Sequence, residues 1–457
     1  MADPTSSLPG RRPTDAARRA AAAAAGRAAR VSAPSTSRPS RSGPAPASSA
    51  GRSGDDHDAR RAGAVVRVKK LFAAETGSFF LILGTTLFMV VLGLVMVLSS
   101  SSVEQYIASE HTSFFGAFVR QGVYAAIGVP LMLIASRLPI SFYKRYAWHI
   151  LGFAVFLQLL VFSPLGYEVG GNRNWINVGN AFTAQPSEAV KLALAVWLGM
   201  ILTVKRDLLD DWRHLVIPLV PVAGAAVGFV ILGGDLGTTM VMLLLVFAAV
   251  WFAGVRLRFL AVPVLFLLAV VPIIASASDS RNERIAAWMS GCTDSSDYQA
   301  ACWQSLHGTW ALASGGLFGV GLGNSKSKWS WLPEADNDFI FAIIGEELGL
   351  IGAVVVLALF IVLATGFIKI IRRTDDPFVR VTTGAITAWI IGQALINIAV
   401  VLGLLPVLGV PLPLISAGGS ALIVTLLAIG VVLSFARRHE EPATSSRLRD
   451  QRVGSLR

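Results

Sequence analysis

The sequence predicts an all-α, polytopic membrane protein with about ten transmembrane helices, and three observations lead there. Of 457 residues, 54% are hydrophobic and only 15% are charged, against roughly 25% charged in soluble globular chains. Mean hydropathy is +0.63, more apolar surface than a water-soluble fold of this length could cover. Apolar stretches long enough to cross a hydrocarbon core of ~30 Å recur at 79–100, 117–136, 147–164, 187–204, 215–232, 236–254, 258–277, 339–369, 381–403 and 413–435.

Residues 1–66 precede the spans and are rich in Ala, Arg, Ser, Pro and Gly without apolar periodicity, which predicts a disordered basic tail. Its Arg-rich, acid-poor composition resembles an organellar transit peptide, and no signal-peptide pattern precedes the first span. The ten-span domain is expected over 67–436 and a second short tail over 437–457. The net charge of +11 is concentrated at the two ends: residues 1–70 carry 14 Lys/Arg against 5 Asp/Glu, and residues 437–457 carry 6 against 3. The apolar body is therefore nearly neutral. Basic tails of this kind suit an anionic leaflet, and without interleaved aromatic residues they do not predict nucleic-acid binding.

Ten spans place both termini on one side. With that side cytoplasmic, the inner loops hold twelve Lys/Arg and the outer loops five, which satisfies the positive-inside rule. Two substantial loops then lie outside, at about 165–186 and 278–338. The second holds the chain's two cysteines, Cys292 and Cys302, candidates for a disulfide in an oxidising compartment, the alternative being two unrelated thiols.

Ionisable groups at membrane depth are costly and so point to function: Arg120, Glu188, Lys191, Glu346 and Glu347, with Asp235 at a span boundary. Glu188 and Lys191, three residues apart, share a helix face. They make either a structural ion pair or part of a polar cavity under a site. Gly233-Gly234-Asp235 reads as a tight turn with Asp235 starting the next helix. Two prolines and a Gly-Gly pair in 409–420 predict bent backbone facing a cavity.

The densest chemistry is Lys326-Ser327-Lys328-Trp329-Ser330-Trp331-Leu332-Pro333-Glu334-Ala335-Asp336-Asn337-Asp338, directly before the eighth span. Lysines can bind a diphosphate, tryptophans such as Trp331 can stack on sugars, and a carboxylate can serve as general base. Asp338 is the best placed carboxylate, and its plain alternative is to N-cap the eighth helix. No P-loop, dinucleotide fingerprint, Cys/His metal spacing or Ser-His-Asp pattern competes, and no metal ligands can be assigned.

Taken together, these segments resemble the SEDS family (shape, elongation, division and sporulation) over most of 79–436. The resemblance is carried by Gly93–Ser99, Arg120-Gln121, Trp175-Ile176-Asn177 and Gln185-Pro186-Ser187-Glu188 with Lys191. It continues through Asp235-Leu236-Gly237-Thr238, Ser314-Gly315-Gly316, Leu332-Pro333-Glu334 and Asp338–Ala342, and ends in Gly345–Gly349, Gly403–Pro406 and Pro411–Ser416. The stretches 342–349 and 415–420 look like the division branch of the family more than the elongation branch.

The resemblance implies a peptidoglycan glycosyltransferase that polymerises lipid II at the outer face of a bacterial membrane, at the division septum. The nascent glycan on undecaprenyl diphosphate is the donor and the GlcNAc 4-hydroxyl of lipid II the acceptor. The family's essential loop aspartate maps onto Asp338 as base. Arg173, Lys191, Arg284, Lys326 and Lys328, together with Glu188, Trp331 and Asp336, are candidates for substrate binding. A divalent cation, magnesium or manganese, is another means of stabilising the leaving diphosphate. Implied partners are a class B penicillin-binding protein transpeptidase and other divisome proteins. The sequence departs from the family where Asp336 stands two residues before Asp338 and is a rival base, where Asn174 replaces an arginine, and where Gly233-Gly234 replaces Gln-Pro. A lipid II flippase and a non-catalytic division scaffold are the alternatives to a polymerase.

Overall fold

The computed structural model describes residues 77–108, 114–169, 172–178, 182–256, 258–259, 279–292, 302–329 and 331–437. Nine apolar helices make up the membrane body of these residues. They are α1 (Gly77–Ala108), α2 (Gly116–Ala135), α3 (Ile140–Leu159), α4 (Pro186–Val204), α5 (Trp212–Leu232) and α6 (Leu236–Phe252), then α9 (Ile340–Arg373), α10 (Pro377–Val401) and α11 (Ser420–Ala436). Two shorter helices, α7 (Asp279–Ser290) and α8 (Trp303–Gly315), lie within the expected second loop. Seven of the nine are long and apolar enough to span a bilayer, and α6 and α11 are shorter apolar helices. Residues 260–277 of the expected span 258–277, the two tails apart from Arg437, and the chain between Cys292 and Cys302 fall outside the described residues.

Each helix begins where local chemistry allows it. Pro186 and Pro377 open α4 and α10 at the first turn, where a missing N–H costs nothing. Asp211, Asp235 and Asp376 cap α5, α6 and α10 through backbone N–H groups. The third helix starts at Ile140, before the expected 147, because Pro139 provides the extended residue that precedes it. α4 and α10 pack on each other at the centre. They are 67% and 61% enclosed over their spanning windows, against 28–39% for the other five long helices. Around them α3 packs on α4, α6 on α10, α1 on α9, and α11 on α2.

Two features depart from the expected all-helical layout. The first outer loop holds a three-stranded antiparallel sheet, β1 (Gly166–Val169), β2 (Asn172–Val178) and β3 (Phe182–Ala184), in the order β1-β2-β3. It pairs Tyr167 with Trp175 and Asn177 with Thr183, and Arg173 N–H donates to Gly233 O on the α5–α6 turn at 2.9 Å. The second is a break in α9 at Gly349, which has φ 68° and ψ −167°. Carbonyls freed there are taken up from the 316–321 segment: Val320 and Gly321 N–H donate to Glu346 and Glu347 O at 3.0 Å. Leu350 N–H in turn donates to Gly316 O at 2.9 Å. Backbone groups on both sides of the break are thus paired inside protein. Gly349→Ala would place a Cβ against the backbone of Gly319 and Leu317, in a conformation essentially reserved for glycine that costs ~1–3 kcal/mol by itself. The expected outcome is a lower unfolding temperature in detergent, and an unchanged one would contradict a break at this residue.

Candidate active site

Asp338 lies in the turn that leads into α9, and three other parts of the chain hold that turn by its backbone. Asn337 and Phe339 N–H both donate to Glu334 O at 3.1 Å. Asn397 of α10 donates to Asp338 O and to Val410 O, each at 2.7 Å. Ser416 Oγ donates to Asn337 O at 2.7 Å, and Ala417 N–H donates to Asp336 O at 2.9 Å. Gln121 of α2 secures the same segment by donating to Ser416 O at 2.9 Å. The three consecutive carbonyls of Asp336, Asn337 and Asp338 are therefore fixed, while the two carboxylates are not used for anchoring.

The capping alternative for Asp338 does not hold. The N-cap of α9 is Phe339, with no side-chain cap bond. Asp338 Oδ1 is shielded from solvent and has no hydrogen-bond partner, and a Cβ on Gly409 would stand 3.5 Å from Oδ2. Burial, reinforced by the negative charges of Glu334, Asp235 and Asp336 and opposed by Arg284, pushes its pKa up to about 7. Asp336 is raised to about 6 by burial and by Glu104 and Glu334, with its own backbone and Arg120 acting the other way. A half-buried carboxylate near neutrality with one shielded, unpartnered oxygen is suited to general-base work.

Asp235 keeps the turn role expected of it and adds a charge to this site. It accepts from Thr238 N–H at 2.8 Å as cap of α6 and from Gln185 Nε2 at 2.9 Å. Asn174, where the family carries arginine, is buried and bridges Arg173 O and Asp235 N–H at 3.0 and 3.3 Å. The neighbouring Arg173 guanidinium donates to Ser163 O at 3.0 Å.

Three of the expected substrate-binding groups are instead internal. Lys191 and Glu188 form an ion pair at 2.8 Å and are both almost fully buried. Lys191 also donates to Gln393 Oε1 at 3.0 Å and lies 4.9 Å from the centre of the Trp389 ring. Lys328 is buried, donates to Gly323 O at 2.6 Å and pairs with Glu347 at 3.4 Å. Groups enclosed in this way tie helices together; for Glu188 and Lys191 this is the structural ion pair that their spacing allowed. Lys326 and Trp331 remain exposed.

Asn397 escaped the sequence reading, although a signal existed. Gln393 and Asn397 are amides four residues apart in an otherwise apolar helix, so they share a face. Gln393 holds Pro411 O at 2.9 Å and Asn397 holds Val410 O at 2.7 Å, so the pair fastens the bent 410–417 segment against the turn of Asp338. Among the described residues, no three His, Cys, Asp or Glu side chains converge to hold a metal ion.

The comparisons with known proteins agree with this picture. The model of the cell cycle protein family of FtsW, RodA and SpoVE matches residues 79–441. The probable peptidoglycan glycosyltransferase FtsW of Mycobacterium tuberculosis is 37% identical over 381 residues, 83% of this chain and 72% of the relative. The stage V sporulation protein E of Bacillus subtilis is 34% identical over 365 residues, 79% of this chain and 98% of the relative. In fold, the chain is similar to a subunit of a peptidoglycan synthase complex studied for its coordination of polymerisation and crosslinking. The TM-score is 0.64 at 24% identity, over 79% of this chain and 98% of that one. It is also similar to the rod shape determining protein RodA of Thermus thermophilus, with a TM-score of 0.56 at 25% identity over the same shares. Eleven motifs in order, a helical membrane body and a match over most of its length place this chain in the FtsW/RodA/SpoVE family, the SEDS proteins.

Proposed function

We propose that this chain is a peptidoglycan glycosyltransferase that polymerises lipid II during cell division, with Asp338 as general base. The observation that carries the assignment of the base is the shielded, unpartnered Oδ1 of Asp338 on a turn whose backbone is fixed from α10 and the 410–417 segment. The acceptor GlcNAc 4-hydroxyl gives its proton to Asp338 as its oxygen attacks C1 of the terminal MurNAc of the nascent strand. The bond from C1 to the lipid diphosphate breaks, a β-1,4 linkage forms with inversion, and undecaprenyl diphosphate departs. Arg284, Lys326, Arg120 and Arg173 are the cations available to the departing diphosphate, since Lys191 and Lys328 are enclosed. A divalent cation would supply the same charge stabilisation. The site faces the outside of the cell membrane, with both termini cytoplasmic and the protein at the septum. Its partners are a class B penicillin-binding protein transpeptidase and other divisome proteins.

The test is to purify the chain with its transpeptidase partner, supply lipid II with and without magnesium or manganese, and assay for glycan. Folded wild type is expected to make polymer. If it makes none while lipid II still crosses a bilayer, the protein is a flippase. With an Asp338 pKa of about 7, the base is protonated at low pH. Rate should therefore rise about tenfold per pH unit below that value and level off above it. A flat profile from pH ~5.5 to 8.5 would remove Asp338 as the titrating base.

A further inference from the structure

The short helix α7 has a job that neither its composition nor the family match assigns. It ends at Ser290, and Cys292, two residues on, is bonded to Cys302, the buried N-cap residue of α8. α8 in turn packs on the start of α9: a Cβ on Gly308 would meet the ring of Phe339 at 2.7 Å, next to Asp338. The far attachment of α7 is Trp288, whose Nε1 donates to Gly403 O at 3.0 Å. Gly403 begins the segment that runs to Gly409, beside Asp338 Oδ2. Arg284 lies one helical turn before Trp288 and so on the same face of α7. α7 is thus fastened at two points that flank the Asp338 turn, one covalent and one a hydrogen bond.

We infer that the Cys292–Cys302 disulfide and Trp288 form a clip that holds α7 beside the Asp338 turn, making Arg284 on that helix a positioning residue for the base. The inference rests on the proposed function. Arg284 is the one cation among the charges that act on Asp338, the others being Glu334, Asp235 and Asp336. Reduction of the bond by an added phosphine, which gives up two electrons and becomes its oxide while water supplies the oxygen and the two thiol protons, frees the clip. Release of Arg284 removes the positive charge that opposes Glu334, Asp235 and Asp336 at Asp338, which raises its pKa.

The experiment is the rate of lipid II polymerisation against pH for the intact chain with its partner, oxidised and phosphine-reduced, beside Cys292→Ser, Trp288→Phe and Arg284→Gln. Reduced wild type, Cys292→Ser and Arg284→Gln should move the acid-side midpoint up by about half a pH unit or more. Trp288→Phe should move it in the same direction, and Arg284→Gln should respond no further to the phosphine. Hydrogen exchange gives a readout independent of activity: reduction should speed exchange across 279–290 and leave α10 unchanged. The clip is overturned if reduction or Cys292→Ser lowers thermal stability with the midpoint unmoved, or if Arg284→Gln leaves the midpoint in place. Wild type that makes no glycan in either redox state overturns the proposed function itself, and this inference with it.

Discussion

Replacing Asp338 with alanine is expected to lower glycan synthesis from lipid II by about two to four orders of magnitude, the usual worth of a positioned general base. The fold should survive, because the turn is held through the Asp338 carbonyl, which any residue supplies, and because Oδ1 bonds to nothing. Asp338→Asn should lose as much activity while retaining the shape of the side chain. Stability sharpens the test. The native pKa of about 7 lies above the ordinary 3.8, so the folded state binds the proton more tightly than the unfolded chain. Ionisation therefore opposes folding, not at all below pH ~4 and increasingly as pH rises from there to about 7. Asp338→Asn should unfold at a higher temperature than wild type at pH 8, with a smaller gap at pH 5. Asp336→Asn is the control, expected to retain activity within tenfold. If Asp336→Asn abolishes synthesis and Asp338→Asn does not, the base is Asp336.

The second large effect concerns stability. Lys328→Met should destabilise the protein by about 3–5 kcal/mol, because it leaves the fully enclosed Glu347 carboxylate without its cation. The remaining partners of Glu347 are neutral: the Ser99 hydroxyl 2.7 and 2.6 Å from its two oxygens and Ser325 N–H at 3.4 Å. Adjacent Glu346 is held separately by Ser325 Oγ and Lys326 N–H, at 2.6 and 2.9 Å. Adding Glu347→Gln to Lys328→Met should recover most of the loss, since an amide needs no counter-charge. Lys326→Met, exposed two residues away, should change stability by no more than ~0.5 kcal/mol. Thermal unfolding of the four proteins in one detergent decides it. A Lys328→Met protein as stable as wild type would mean the buried pair is not what holds the loop on α9.

These two predictions divide neighbours that look alike in sequence. Lys326 and Lys328 sit in one basic-aromatic run, and nothing local says that one faces out while the other is sealed inside. That outcome depends on Glu347, nineteen residues further along, being carried under the loop by a helix that breaks two residues later at Gly349. The pairing of Glu188 with Lys191 was legible as a possibility, since spacing alone puts both on one face. Its enclosure, with Trp389 and Gln393 around it, was not, because those groups come from α10.

By itself, the sequence determined the membrane class, the placement of most helices, the family and the aspartate turn. Each of these is written in local terms: the length of an apolar run, a proline or aspartate at a helix start, a motif of a few residues. The tertiary structure alone decided which charges meet. Asp235, Asn397, Gly409 and Ser416 reach the Asp338 turn from other helices and loops. They gather there because a bilayer offers no water to unpaired backbone, so every bent segment must find its hydrogen bonds on a neighbouring helix. That same requirement fixes the carbonyls around Asp338, while its Oδ1 is left without a partner.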